Sequence, residues 1–423
     1  MTALGRVAAA AVAARSRLGS TLPRLAAAQL ALNRYSQSAR HLSTARIGGS
    51  DGLLRVERAT DFETVLDKTD RFAQIGGRAV IEVAGTDASE FLQGLQCNHM
   101  PTIDQGGPGM LTAFLAPQGR VIADAFIYPR NVGVNFPHPV FLVEVDAQVK
   151  ARLLKIMQFY KLRAKVAIRD ATDEYTAWSV WGPGSAALVG GEEPLGHVPR
   201  GGMVFKSEMA PGDVWMADTR APGMGLRLLL PAGERPALPA TFGEELGDVY
   251  TLRRILKGVA EGAADFVTDV AVPLESNMDY MHGVHFSKGC YVGQELTIRT
   301  HHRGVVRKRI VPAILSSPDT SPVAGTNPLA VDFSFAAQPA ALADVTRPNT
   351  GPAKPRSRNV APGRLGSCLH NAALALMRLE LVDAYVQGEG SVPPFETVDV
   401  NGARLLVSPW SPSWWPAATH PPA

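Results

Sequence analysis

Strand-like and helix-like runs alternate along the first part of the sequence, and this alternation constrains the fold more than any other feature. Apolar runs typical of strands occupy 79–85 and 141–145, and two more flank a Pro- and Gly-containing turn at 116–120. Apolar residues at helical spacing occupy 87–95 and 149–162. Strands interleaved with helices indicate an α+β or α/β sandwich and argue against a helical bundle.

A second region, 174–247, predicts more strands, among them a two-strand unit (215–220 and 225–230) around a Pro-Gly turn. The helix predicted at 250–258 is amphipathic, with its apolar side buried. Its charged residues are expected in water: Arg253, Arg254 and Lys257.

The last part of the chain alternates short apolar segments with Pro- and Gly-rich turns, which predicts a small β-barrel after residue 301. Residues 317–362 are rich in Pro, Ala, Ser, Thr and Arg and predict a flexible insertion in that barrel. The end of the chain, 411–423, combines tryptophans with prolines and is expected to be a tail of uncertain order.

The leader, 1–50, contains seven arginines and neither Asp nor Glu. Such leaders are typical of mitochondrial transit peptides, the alternative being a disordered basic tail. We therefore expect a mitochondrial matrix protein, since the reducing matrix suits a chain with free thiols. Much of the net charge of +3 comes from this leader, so the mature protein should be close to neutral or acidic. We therefore expect no nucleic-acid partner. No apolar run reaches 18 residues, and no membrane partner is expected.

The 423 residues suffice for two or three domains, but their three cysteines form no Cys-x-x-Cys pair and no disulfide framework. A [4Fe–4S] cluster takes four thiolate ligands as a rule, so this chain is not expected to hold one alone. Cys290 stands apart because it lies between Gly289 and Gly293, in the run 288–295. Glycines permit a tight exposed turn, and a nearby Lys288 would favour the reactive thiolate. The alternative is a buried, inert cysteine.

This run, with 273–279 before it and 299–309 after it, resembles the motif of the folate-binding YgfZ family, which is related to the aminomethyltransferases of the glycine cleavage system. The longer pattern is similar to the mitochondrial branch, whose members help to mature [4Fe–4S] proteins. The resemblance covers about 55–385 and implies an α+β, aminomethyltransferase-like fold. Two α+β subdomains (51–170 and 171–300) and a C-terminal β-barrel (301–410) would surround a central cavity.

The resemblance also implies tetrahydrofolate as a ligand and Asp124, Arg220, Arg227 and Glu261 as residues near it. The two arginines could pair with an anionic folate tail, or with Asp218 inside the chain. Asp124 could equally be a turn or surface residue. Aminomethyltransferases carry carboxylates where this chain has Ala123 and Leu256, which counts against transferase activity.

Three functions follow, in order of preference. The first is a factor for maturation of [4Fe–4S] proteins, in which Cys290 is both the reactive group and the iron ligand, sharing a transient cluster with an A-type scaffold protein that serves client apoproteins. The second is a folate-dependent aminomethyl or one-carbon transferase. The third is a folate- or protein-binding module without thiol chemistry.

Four residues of the motif are expected to position the cysteine loop or a ligand: Lys288, Tyr291, Gln294 and Glu295. For the last three, the alternative is a hydrogen-bonding scaffold. The adjacent His301 and His302 would point in different directions on a strand, so a zinc site is not expected.

Overall fold

The computed structural model describes residues 53–104, 106, 108–130, 138–189, 214–318, 329–347, 362–388 and 395–416. The predicted transit peptide, parts of the predicted insertion (319–328 and 348–361) and residues 417–423 lie outside the described residues.

The first sheet contains five strands in the order β4-β5-β6-β3-β7. Its strands are β3 (Arg78–Ala84), β4 (Met110–Leu115), β5 (Val121–Pro129), β6 (Val140–Asp146) and β7 (Ala167–Asp170), and all except the mostly exposed edge strand β7 are largely buried. Helices α1 (Ala88–Leu95) and α2 (Ala147–Lys161) share one hydrophobic core with this sheet. Asp146 caps α2 by accepting a 2.7 Å hydrogen bond from Gln148 N.

The second sheet also has five strands, in the order β11-β2-β8-β10-β9. They are β2 (Arg71–Ile75), β8 (Tyr175–Trp181), β9 (Val214–Ala217), β10 (Leu226–Pro231) and β11 (Gly243–Glu245). The antiparallel pair β9–β10 is the two-strand unit that the sequence predicts. Because β2 lies in this sheet although it precedes the first sheet in the chain, a division at residue 170 does not separate the two sheets.

Helix α3 (Gly247–Leu256) follows the second sheet, and its basic residues contradict the sequence prediction. Arg253, Arg254 and Lys257 are buried instead of solvated. Arg253 and Lys257 bind the two carboxylate oxygens of Asp67 at 2.6 and 2.7 Å, and Arg254 binds Asp265 at 2.7 Å. Helical periodicity places these charged residues on the solvent side of α3, but it does not reveal the carboxylates elsewhere in the chain that bind them.

The third sheet has the order β14-β15-β16-β12-β18-β17. Its strands are β12 (Lys308–Ser316), β14 (Asp344–Val345), β15 (Gly363–Leu369), β16 (Ala372–Arg378), β17 (Phe395–Val398) and β18 (Arg404–Pro409), with helix α5 (Leu379–Val386) alongside. A bridge between Thr346 and Glu396 brings the two edges together and nearly closes a barrel.

Part of the predicted insertion 317–362 is ordered structure. Strand β13 (Leu329–Asp332) pairs with the first strand of the chain, β1 (Leu53–Val56), and β14 pairs with β15. The prediction of a flexible insertion is therefore wrong for 329–345. The local composition does not reveal this pairing, because the partner strand lies at the other end of the chain.

Residues 411–416 are likewise not a loose tail. Trp410, just before them, is buried and lies 5.7 Å from the Phe62 ring. Trp414 Nε1 donates to the carbonyl of Lys257 at 2.8 Å, and Ser413 Oγ donates to Glu63 at 2.7 Å. The segment after the barrel thus clamps the barrel to the helical turn at Ala59–Glu63.

Mixed helices and mainly antiparallel strands confirm the predicted α+β class. Among the described residues, no helix combines the length and the apolar character that a membrane span requires.

Candidate functional site: the Cys290 loop and the buried charge network

Cys290 is exposed on a loop that is fastened to the C-terminal end of α1. Lys288 Nζ donates to the carbonyls of Gln93 and Gln96 at 2.7 and 2.5 Å. Val292 N donates to the carbonyl of Gly94 at 3.0 Å. These bonds satisfy carbonyl groups at a helix end and hold the loop on both sides of the cysteine.

The position of Lys288 differs from the sequence expectation of an ammonium beside the Cys290 thiol. Its ammonium is half-buried against the α1 carbonyls and lies 4.8 Å from the centre of the Tyr291 ring. Burial lowers the pKa of Lys288 to about 8, and the thiol that opposes this shift is Cys97, not Cys290. Lys288 therefore anchors the loop.

Tyr291 lies on the buried side of the loop and belongs to the same hydrophobic core as Cys97. Burial, and then the neighbouring Cys97, raises the pKa of Tyr291, so its hydroxyl stays protonated. Burial raises the pKa of the Cys97 thiol to about 12, against the smaller opposing effect of Lys288. Cys97 is thus an inert thiol at neutral pH.

Gly293 connects the loop to helix α4 (Gln294–Arg303). Its φ of 80° and the Ala116 carbonyl, which a Cβ atom at this position would overlap, both require glycine here. Gln294 Oε1 accepts a 3.3 Å hydrogen bond from Tyr291 N, whereas Glu295 is exposed in the first turn of the helix.

His301 and His302 lie on helix α4, so the expected strand is wrong at this point. The His301 ring stacks on Phe286 at 3.6 Å. No cluster of three His, Cys, Asp or Glu side chains suited to a metal ion occurs in the part of the chain that the structure describes.

The predicted ligand-binding arginines form a buried network of charges. Arg220 and Arg227 are only 1% and 0% exposed. Arg220 binds Asp218 at 2.7 and 2.8 Å, and both guanidinium groups donate to Glu261 Oε2, at 2.7 and 3.0 Å. Arg220 therefore forms the ion pair with Asp218 that the sequence leaves open as the alternative to an anionic folate tail.

Arg227 pairs instead with Glu144, whose two oxygens it meets at 2.5 and 2.9 Å, and Arg78 binds the same carboxylate at 2.6 Å. Burial opposes ionisation, but Arg227 and Arg78 overcome it and lower the pKa of Glu144 to about 2. Burial likewise opposes the ionisation of Glu261, and Arg227, Arg220 and Arg78 hold its pKa well below the usual range.

Three members of this network were missed from the sequence: Glu144, Arg78, and Tyr250, which donates a 2.5 Å hydrogen bond to Glu261. A signal for Glu144 exists, because a carboxylate inside the apolar run 141–145 needs a buried partner. Tyr250 carries no comparable signal.

Asp124 is buried on strand β5, which excludes the alternative of a turn or surface residue. Its Oδ1 accepts a 3.1 Å hydrogen bond from Gly262 N, and its Oδ2 has no hydrogen-bond partner among the described residues. Burial raises the pKa of Asp124 to about 6, Arg78 opposes the shift, and Glu261 adds to it.

A folate tail does not fit this network, since both guanidinium groups are enclosed and bound to carboxylates of the chain. A cleft of about 140 Å³ lies near it, lined by Asn98, Met110, Met216, Thr219, His282 and their neighbours. Pockets for drug-sized ligands have volumes of roughly 300–1,000 Å³. As formed by the described residues, this cleft is too small for a whole tetrahydrofolate.

Comparison with known proteins first identifies the class. The chain is similar to the crystal structure of glycine cleavage system aminomethyltransferase T from Bartonella henselae, with a TM-score of 0.53, 13% identity and coverage of 84% of this chain and 89% of that one. At this identity the likeness shows the fold alone, which is aminomethyltransferase-like. Residues 76–193 match the GCVT N-terminal domain, and 307–417 match the CAF17 C-terminal beta-barrel domain.

The sequence relatives then specify the family. The iron-sulfur cluster assembly factor IBA57 homolog, mitochondrial, of Mycosarcoma maydis is 36% identical over 381 residues, covering 85% of this chain and 89% of that protein. The protein of the same name from Aspergillus fumigatus is 41% identical over 340 residues, covering 76% and 73%. The chain belongs to this family of mitochondrial iron–sulfur cluster assembly factors.

Proposed function

We propose that this protein helps to mature [4Fe–4S] proteins in the mitochondrial matrix, with the Cys290 thiolate as a ligand to the iron of a cluster in transit. The observation that carries the proposal is the contrast between Cys290 and the other two cysteines. Cys290 is exposed on an anchored loop, whereas burial raises the pKa of both Cys97 and Cys368 to about 12.

One exposed thiol supplies a single cluster ligand, and a [4Fe–4S] cluster as a rule takes four thiolates. The remaining ligands must come from a second protein, and an A-type scaffold is the partner that the family resemblance implies. In this scheme the cluster is the cargo, and the client apoprotein receives it. The loop contributes a fixed direction of approach, because Lys288 and Val292 tie it to α1.

The test is anaerobic cluster reconstitution of the mature protein with an A-type scaffold, followed by isolation of the complex. Visible absorbance and iron content are compared for wild type, Cys290→Ser and Cys368→Ser. We expect Cys290→Ser to lose the cluster-bearing heterocomplex and Cys368→Ser, the matched control, to keep it. Equal spectra and equal iron content in all three complexes would remove the thiol from the mechanism.

The transferase alternative has less support. Asp124 is enclosed, and neither Arg220 nor Arg227 offers a free guanidinium group to a folate tail. Tetrahydrofolate binding stays a prediction of the family resemblance, and no step of the proposed function depends on it. Isothermal titration of the mature protein with tetrahydrofolate, alongside an aminomethyl-transfer assay, tests this alternative directly.

A further inference from the structure

A groove of about 580 Å³ runs between the C-terminal half of α2 and the hairpin that joins β4 to β5. Its walls combine apolar side chains with two arginines and include Pro117, Arg120, Arg152, Ile156, Phe159 and Tyr160. None of the functions discussed above uses this surface.

The helix side of the groove presents large apolar groups to solvent. Phe159 is 74% exposed and Leu162, which ends the helix, is 86% exposed. Helix α2 already buries another set of side chains against the first sheet, namely Val149, Leu153 and Met157. Of these two exposed side chains, Phe159 lines the groove and Leu162 follows three residues later, and patches of exposed apolar side chains are typical of interaction sites.

The rim of the groove is basic. Lys155 and Arg163 are exposed beside Phe159 and Leu162, and the half-buried Arg120 lies on the hairpin side. Asp269, the carboxylate among the lining residues, is bound to Arg152 through two hydrogen bonds of 2.5 and 2.6 Å. The excess of positive charge favours a partner whose contact surface is acidic.

The groove is continuous with the Cys290 loop. Leu115 and Ala116 line the groove, and both lie so close to Gly293 that a Cβ atom there would clash with them. Gly293 follows Cys290 by three residues, which span at most about 11 Å of extended chain. A protein seated in the groove therefore comes within reach of the thiol.

We propose that this groove is the docking surface for the protein that shares a cluster with Cys290, and that this partner inserts an apolar side chain surrounded by carboxylates. The inference rests on the proposed function and deepens it, because it separates the contact that holds the partner from the thiol that contacts the iron. Phe159 and Leu162 anchor the partner, while Lys155 and Arg163 attract it.

The experiment measures the dissociation constant for a cluster-loaded A-type scaffold protein by isothermal titration, with the mature full-length protein. The variants are Phe159→Glu, Leu162→Glu, Cys290→Ser and Val386→Glu. Val386 is the matched control, since it is 56% exposed on a helix of the barrel. Because all four side chains are exposed, the variants should keep the wild-type melting temperature, which is checked first.

Phe159→Glu and Leu162→Glu are each expected to weaken binding about tenfold or more, as loss of an interface anchor does. Val386→Glu should bind as wild type does, and Cys290→Ser should still dock while losing the shared cluster. Raising the salt concentration should weaken wild-type binding more than that of a Lys155→Glu variant.

Wild-type affinity in both groove variants, together with cluster loss in Cys290→Ser, would overturn the docking surface and leave the proposed function standing. A wild-type protein that does not bind the scaffold would overturn both. A third result would also overturn the docking inference: sedimentation that shows wild-type dimers, abolished by Phe159→Glu, with unchanged scaffold binding. That result would assign the groove to a second copy of this chain.

Discussion

Replacing Asp124 by asparagine should stabilise the protein at neutral pH and above, although it removes a native charge. The carboxylate is enclosed on β5, only one of its oxygens has a hydrogen-bond partner among the described residues, and Glu261 adds like charge nearby. The amide side chain of the Asp124→Asn variant would keep a carbonyl oxygen to accept the hydrogen bond from Gly262 N while removing the cost of burying the charge.

The magnitude follows from linkage. Burial, the largest cause, raises the pKa of Asp124 to about 6, from a reference value of 3.8 in the unfolded chain. Between these two values the native state holds a proton that the unfolded state has lost, so stability falls as pH rises. Above pH 6 the full cost is present. Two pKa units correspond to up to about 3 kcal/mol, and below pH 3.8 this cost disappears.

The assay is urea unfolding of wild type and Asp124→Asn at several pH values between about 4 and 8. The free-energy difference between the two proteins should grow by about 2–3 kcal/mol in favour of the variant across that range. Titrations of all other groups are shared and largely cancel in this difference. An Asp344→Asn variant, which makes the same substitution at an exposed site, provides the comparison. A difference that stays flat across the whole pH range would refute the reasoning.

Three further substitutions test other contacts of the structure. Glu261→Gln leaves one excess positive charge in the buried network, since Arg220 keeps Asp218 and Arg227 keeps Glu144, and should lower the free energy of unfolding by about 3–5 kcal/mol in urea; a loss below about 1 kcal/mol would contradict the buried network. Lys288→Met removes both bonds to α1, so amide hydrogen exchange in 287–292 should speed up, and unchanged exchange would show that the anchor is dispensable. Ser413→Ala deprives the buried Glu63 of a donor and should cost about 1–2 kcal/mol by thermal or urea melting, whereas a neutral effect would mean that the clamp carries no stability.

Local features of the fold could be predicted from the sequence because they depend on neighbouring residues. Examples are the Pro-Gly turn between β9 and β10 and the presence of a helix, Gly247–Leu256, where the sequence predicts one at 250–258. The environment of Lys257 could not be predicted, since its ammonium binds Asp67 and the carbonyl of Glu63, far back in the chain. A charged residue at a helical position indicates solvent exposure only when no group from a distant part of the chain binds its charge.

The same distinction between features set by neighbouring residues and features set by distant ones applies to the candidate site. Two flanking glycines predict an exposed Cys290, and the structure places it on the surface. The neighbouring Lys288 suggests an electrostatic effect on the thiol, but the helix end that captures its ammonium lies nearly two hundred positions earlier. For Arg220 and Arg227 the sequence leaves open an anionic ligand tail or a carboxylate of the chain, and the structure pairs them with Asp218, Glu144 and Glu261 of the chain itself.

The clamp at the end of the chain has a consequence for the order in which the protein folds. Ser413 and Glu63 are 350 residues apart in sequence, and β1 likewise cannot pair until β13 has been synthesised. At synthesis rates of about 5–20 residues per second, the first folded segment exists for about 20–70 s before the residues that complete it. During that interval a carboxylate that will be buried and the edge of β1 remain uncovered. We therefore expect the early part of this protein to need chaperone protection until residues 410–415 have been synthesised.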